Sequence, residues 1–137
     1  MHSPWRTSIP FALCLGVSGL LLGIGFLITL APEMGERAFG LHIEGNSYGF
    51  HYATGVRTAY FGLLIMLLTW LGQRRALAIV LTTLAIAPLG DFLIVLASPG
   101  ASFIAAAVHV PGIVILLGMG SYLRRSERGR GKKPRLS

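Results

Sequence analysis

The chain has 137 residues, of which 53% are hydrophobic and only 12% are Asp, Glu, Lys or Arg. Soluble domains carry roughly twice that charged share, so a water-soluble core of this size is excluded and a single bilayer-embedded domain is the expectation. The formal charge of +7 does not point to nucleic acid, because seven of the twelve Lys and Arg residues follow Tyr122.

The first apolar run, residues 7–30, carries no charge and is longer than the roughly 20 residues a membrane crossing requires. A secretory leader has a shorter apolar region followed by a small-residue cleavage site, so this run reads as a retained helix. Ala12, Gly16, Gly19 and Gly23 recur at three- and four-residue steps, and Gly19 with Gly23 forms a GxxxG pair. Such a face suits close helix packing, either within the bundle or in a homodimer. Cys14, the only cysteine, lies in the same run. One thiol excludes a disulfide or a cysteine metal site within the chain, which leaves a small packing role.

Residues 31–51 form the one long connection. Pro32 at a helix-entry position and Glu33 in a first turn predict a short interfacial helix, and Tyr48 and Tyr52 suit a headgroup layer. Glu33, Glu36, His42, Glu44 and His51 lie in or beside this loop, but no tight metal-ligand spacing joins them. They read as a solvated loop.

The second span is expected at 52–71 and contains Arg57. The third, 76–97, contains Asp91, and the fourth, 102–122, contains His109. Long continuous runs indicate helices rather than barrel strands, which alternate over about ten residues. The links "GQRR" and "SPGAS" are short enough to force antiparallel neighbours, so residues 1–123 are expected to form an all-α, up-down four-helix bundle. Arg6, Arg74, Arg75 and the basic tail fall on one side and Arg37 alone on the other, which places both termini in the cytoplasm. The tail, 124–137, has no apolar periodicity. It reads as a disordered topology anchor near an anionic leaflet, with a specific anionic-lipid or RNA contact as the alternative. So compact a chain is read as an integral protein of a bacterial inner (plasma) membrane.

Helical rise places the intramembrane polar residues by depth. Arg57 lies roughly 8 Å, Asp91 roughly 8 Å and His109 roughly 10 Å from the outer boundary. Three polar residues from three helices thus share a level. An ionised Asp91 in hydrocarbon needs a partner, and a bidentate pair with Arg57 is expected, with His109 as proton carrier or hydrogen-bond donor. Pro88 and Pro111 each remove a helical hydrogen bond, freeing the carbonyls of Leu84 and Ala107, so kinks beside Asp91 and His109 are predicted with a cavity opening outward. Three readings stay open: a purely structural cluster in which Arg57 snorkels to headgroups, a ligand site, and a proton or ion pathway.

"GIGFLITLAPE", "NSYGFHYATGVRTAYFGLLIMLL", "GQRRAL" and "APLGDFLIVL" resemble the small four-helix membrane family called Domain of Unknown Function 4267. That family is similar in layout to DoxX-like membrane proteins. The resemblance runs from about Gly23 to Gly118 and rests on Pro32, Glu33, Gly55, Arg57, Arg75 and Asp91. It implies a fold and no established activity. DoxX-like members are linked to quinone or thiosulfate redox chemistry, and no residue here maps to such a site.

Two functions follow as expectations. The first is a protein that binds or transforms a small amphiphile (a quinone, isoprenoid or lipid) at an outward-facing pocket of Arg57, Asp91 and His109, with Tyr60 and Glu33 contributing and Phe61, Phe92 and Phe103 lining the apolar part. The second is an accessory subunit whose polar cluster only sets helix register. A small multidrug exporter fits poorly, because the first span carries no acid and the charge bias is one-sided. The expected partners are the lipid bilayer, such an amphiphile and a second copy of the chain, and no nucleic acid.

Overall fold

The computed structural model describes residues 5–34, 48–97 and 103–130, and among these every regular element is a helix. The helices are α1 (Ile9–Leu30), α2 (Tyr48–Trp70), α3 (Arg74–Leu84), α4 (Ile86–Ala97), α5 (Phe103–Ala107) and α6 (Val110–Arg130). Three stretches, Ile9–Leu30, His51–Trp70 and Arg74–Ala97, are long and apolar enough to cross a membrane by length and composition. Their apolar side chains mostly face outward, among them Leu13, Leu20, Phe26, Leu63, Leu67, Leu93 and Ile94, as a hydrocarbon solvent permits. Most of their threonine hydroxyls are satisfied internally. Thr29, Thr58, Thr69, Thr82 and Thr83 each donate to the carbonyl four residues earlier, at 2.6–2.9 Å, which costs little where no water competes.

The third span is one rod with a break. Its halves, α3 and α4, meet at Ala85, three residues before Pro88, which cannot donate to the Leu84 carbonyl. The expected fourth span is divided further. α5 ends at Ala107, and the His109 amide turns back to the Ala106 carbonyl at 3.1 Å. α6 then starts, with Pro111 in its first turn and the Ile113 amide on the His109 carbonyl at 3.2 Å. The two breaks lie side by side: a Cβ on Gly112 would stand 3.6 Å from the Pro88 ring.

α6 departs from expectation at its other end. It stays helical to Arg130, so residues 124–130 are ordered helix where an irregular tail is expected from the sequence; residues 131–137 lie outside the described residues. So do the "SPGAS" link and residues 35–47 of the long loop, of which Pro32 to Met34 are helical.

Packing resolves into two pairs. α1 lies along α2, and α3 lies along α6. The pairs meet where α2 passes into α3, and α4 packs on α5 and α6. The α2–α3 turn is a Schellman motif. Gly72 adopts φ 69°, its amide bonds to Thr69 at 3.1 Å, and the Gln73 amide bonds to Leu68 at 2.9 Å.

The α1–α2 pair is built on small residues, but not on the expected ones. A Cβ on Gly16, Gly19 or Gly23 would meet nothing within 4 Å. Among the described residues nothing packs on that strip, so of its two expected uses packing within the bundle is not the one seen there. The contact uses Ser18 and Gly25 of α1 against Gly55, Ala59 and Gly62 of α2. A Cβ on Gly25 would stand 2.5 Å from the Ala59 amide nitrogen, and one on Gly62 would stand 2.9 Å from the Ser18 carbonyl. The Ser18 hydroxyl donates to the Gly62 carbonyl at 2.7 Å. Backbones this close gain dispersion contact over their whole length, the main source of helix association in lipid. Gly120 of α6 serves the second pair likewise, seated against the Ala78 carbonyl and the Thr82 amide.

The buried apolar core sits at one end. Trp5, Phe11, Cys14, Ile65, Leu77, Ala78, Leu81, Ala85, Leu116 and Leu123 form one cluster, drawn from the segment before α1, the start of α1, the end of α2, α3 with its C-cap, and the middle of α6. Trp5, ahead of the first helix, is only 4% exposed. Its indole nitrogen donates to the Thr69 carbonyl at 2.9 Å, and Phe11 meets its ring edge-on at 5.8 Å. The Arg74 guanidinium lies 4.3 Å from its centroid and also pairs with Glu127 at 3.8 Å. This latch ties the N-terminal segment, the α2–α3 turn and the end of α6 together at what is here termed the basic end.

Candidate functional site

Distance along each helix from the basic end fixes where the polar residues fall. Arg57 is about 20 Å from Trp70, Asp91 about 25 Å from Arg74, and His109 about 21 Å from Leu123. All three occupy the half of the molecule away from the apolar cluster. Counted along the helices, the three residues stand at comparable distances from that end.

Rotation about the helix axes is what the depth arithmetic leaves open, and it separates the residues. Gly55 and Gly62 face α1. Arg57, two positions past Gly55, is turned about 200° from it and is exposed. Asp91 is half-buried on α4, and His109, at the break between α5 and α6, is 5% exposed. α2 packs on α1 and on α3 at the turn, whereas α4 packs on α5 and α6. Among the described residues no ion pair or hydrogen bond joins Arg57 to Asp91. The direct pair expected from the sequence is not made, because the two side chains belong to different helix pairs and Arg57 points outward.

Tyr60, one turn beyond Arg57, is 59% exposed and stands edge-on to Phe61 with centroids 5.7 Å apart. Phe61 and Phe92 are half-buried and Phe103 is exposed. Glu33 is exposed just past α1. His51 is buried at the start of α2. Among the described residues no group of three His, Cys, Asp or Glu side chains is placed to hold a metal.

Two features of the far half have chemical consequences. Arg57 presents a permanently charged fork on a helix face otherwise lined by Val56, Tyr60 and Leu63, all exposed. On the other helix pair, two adjacent helix breaks lie beside Asp91 and His109, an arrangement membrane proteins tolerate where a cavity or a neighbouring group satisfies the freed carbonyls. The sequence reading missed the latch at the basic end. Its signal was a tryptophan just ahead of an apolar run, which hydropathy alone does not weigh.

A family model described as "Domain of unknown function (DUF4267)" matches residues 18–123. No curated protein matches the chain, and no solved structure matches it.

Proposed function

The chain belongs to the DUF4267 family, and we propose that it is an integral membrane protein whose Arg57 holds the polar or anionic head of a small amphiphile, in the half of the bilayer away from the basic end. The basic end faces the cytoplasm of a bacterial inner membrane, and Arg57, Asp91 and His109 face outward.

One observation carries this reading. Within the spans, the threonine hydroxyls named above have internal acceptors, whereas among the described residues no ion pair or hydrogen bond reaches the Arg57 guanidinium. A charge at that depth costs several kcal/mol unless it is neutralised. The counterion comes from outside the described chain, and an amphiphile's head at the membrane rim meets that need. Tyr60 and Phe61 beside it offer an aromatic wall for the apolar part.

The test is thermal unfolding in detergent with quinone, isoprenoid and phospholipid amphiphiles added in turn. At least one class raises the melting temperature of the native chain, and Arg57→Gln removes that rise while leaving the ligand-free melting temperature within about 2 °C. An identical rise in the variant contradicts the reading.

A second reading, an accessory or self-associating subunit, is favoured by the unpartnered face of Gly16, Gly19 and Gly23, which would accept a helix from another chain. Mass measurement in detergent separates the two: a stable oligomer lost on Gly19→Leu supports assembly through α1.

A further inference from the structure

We propose that the basic end is a docking surface for the headgroups of anionic phospholipids, built from Arg124, Arg125 and Arg128 of α6 together with Arg6 and Arg75. The surface is separate from Arg57 and rests only on the chain spanning a bilayer.

α6 carries most of this surface. It does not end with its apolar residues but stays helical to Arg130. Leu123 and Glu127 face inward, Leu123 into the apolar cluster and Glu127 to Arg74. Arg124, Arg125 and Arg128 then fall within an arc of about 100° on the outward side, and all three are exposed. They are displayed at fixed spacing on a rigid rod rather than on a flexible tail.

The charge there is uncompensated. Glu127 is the one acid in this stretch of the sequence and is engaged by Arg74. Among the described residues no ion pair reaches Arg75, Arg124, Arg125 or Arg128. Arg75 stands in the first turn of α3, where Gln73 supplies no side-chain cap and the helix dipole adds positive potential instead of offsetting it. Arg6 is held at the same end, its guanidinium 4.9 Å from the Trp70 ring centroid, by the segment that Trp5 locks onto Thr69.

Aromatic side chains mark the depth. Trp70 is 57% exposed, and Tyr122, one turn before Arg125, is exposed as well. Indole and phenol groups settle at the boundary between hydrocarbon and headgroups, which puts Arg124, Arg125 and Arg128 about 3–9 Å further along α6, towards the level of lipid phosphates. Guanidinium groups bind phosphate oxygens in a fork. A leaflet rich in anionic lipid supplies many such groups at the surface the chain already occupies, so charge complementarity and location select the same partner.

The only two tryptophans, Trp5 and Trp70, both belong to this end and report on it directly. Native protein in detergent is titrated with phosphatidylglycerol and, separately, phosphatidylcholine, and tryptophan emission is followed. Phosphatidylglycerol produces a saturable change that phosphatidylcholine does not, and raising the salt weakens it. Arg124→Gln with Arg125→Gln and Arg128→Gln weakens apparent affinity about 100-fold, or about 5-fold for each arginine. The corresponding Lys substitutions retain most of it. Far-UV circular dichroism checks that the triple variant is folded, and if it is not, Arg124→Gln and Arg128→Gln singly each give the 5-fold loss. An equal response to both lipids, or a folded Gln variant that binds like the native chain, overturns the proposal. So does an RNA oligomer that binds through the same arginines more tightly than phosphatidylglycerol at equal ionic strength.

Discussion

Trp5→Ala lowers the stability of the detergent-solubilised protein by about 3–5 kcal/mol, the range for truncating a buried tryptophan. Trp5 lies outside every helix, yet it fills the junction between both helix pairs. Its ring packs on Phe11, lies 3.6 Å from the position of a Cβ on Gly72, and stacks under the Arg74 guanidinium. Its removal leaves a cavity where the α2–α3 turn is held, takes one of two donors from the Thr69 carbonyl, which keeps the Gly72 amide, and removes the ring beneath the Arg74 guanidinium. Trp5→Phe is the control. It retains most of the ring and loses the bond from the indole nitrogen to Thr69, so it costs about 1–2 kcal/mol. Denaturant titration followed by circular dichroism measures both. A loss below about 1 kcal/mol for Trp5→Ala shows that the latch does not hold the pairs together.

Gly55→Leu separates α1 from α2 at a cost of about 3 kcal/mol or more. A Cβ at this position would stand 2.8 Å from the Gly25 carbonyl and 2.9 Å from the Thr29 amide. These are backbone atoms of a helix and cannot rotate aside, so the helices must part and lose the Ser18–Gly62 hydrogen bond as well. The comparison is Gly19→Leu, at a glycine that hydropathy and spacing mark as the better packing residue. Its Cβ meets open space, so the monomer's stability changes by no more than about 1 kcal/mol, and in the stabilising direction, because the helix interior loses a glycine. Equal losses from the two substitutions contradict the observed α1–α2 register.

These two positions also show where sequence reading succeeds and where it stops. Three of the four expected spans were legible because an uninterrupted apolar run has few other uses, and α1 keeps the expected end at Leu30. The breaks were legible because a proline's missing donor acts locally: Pro88 and Pro111 each have a helix break two to three residues ahead. Choice of packing face was not legible, since it belongs to two helices jointly. Gly16, Gly19 and Gly23 have a fitting spacing, but α2 offers Gly55 and Gly62 seven residues apart, and the matching seven-residue step on α1 is Ser18 to Gly25. Helical rise gives only a distance along the axis, whereas the outward turn of Arg57 depends on which side of α2 meets α1. The helical continuation to Arg130 was hidden by composition: "RRSERGR" has no apolar period, and its inward side is fixed by Leu123 and by the pairing of Glu127 with Arg74.

We propose that the basic end and Arg57 face opposite sides of the membrane, with Arg57 and Asp91 reached by water from the outer side. Cysteine accessibility in intact cells tests it most directly. In a Cys14→Ser background, Arg57→Cys, Asp91→Cys and Gln73→Cys are each exposed to a membrane-impermeant thiol reagent, before and after the cells are opened. The account predicts that Arg57→Cys and Asp91→Cys react in intact cells and Gln73→Cys only in opened ones. Labelling of Gln73→Cys in intact cells, or Arg57→Cys that reacts only from the same side as Gln73→Cys, contradicts it.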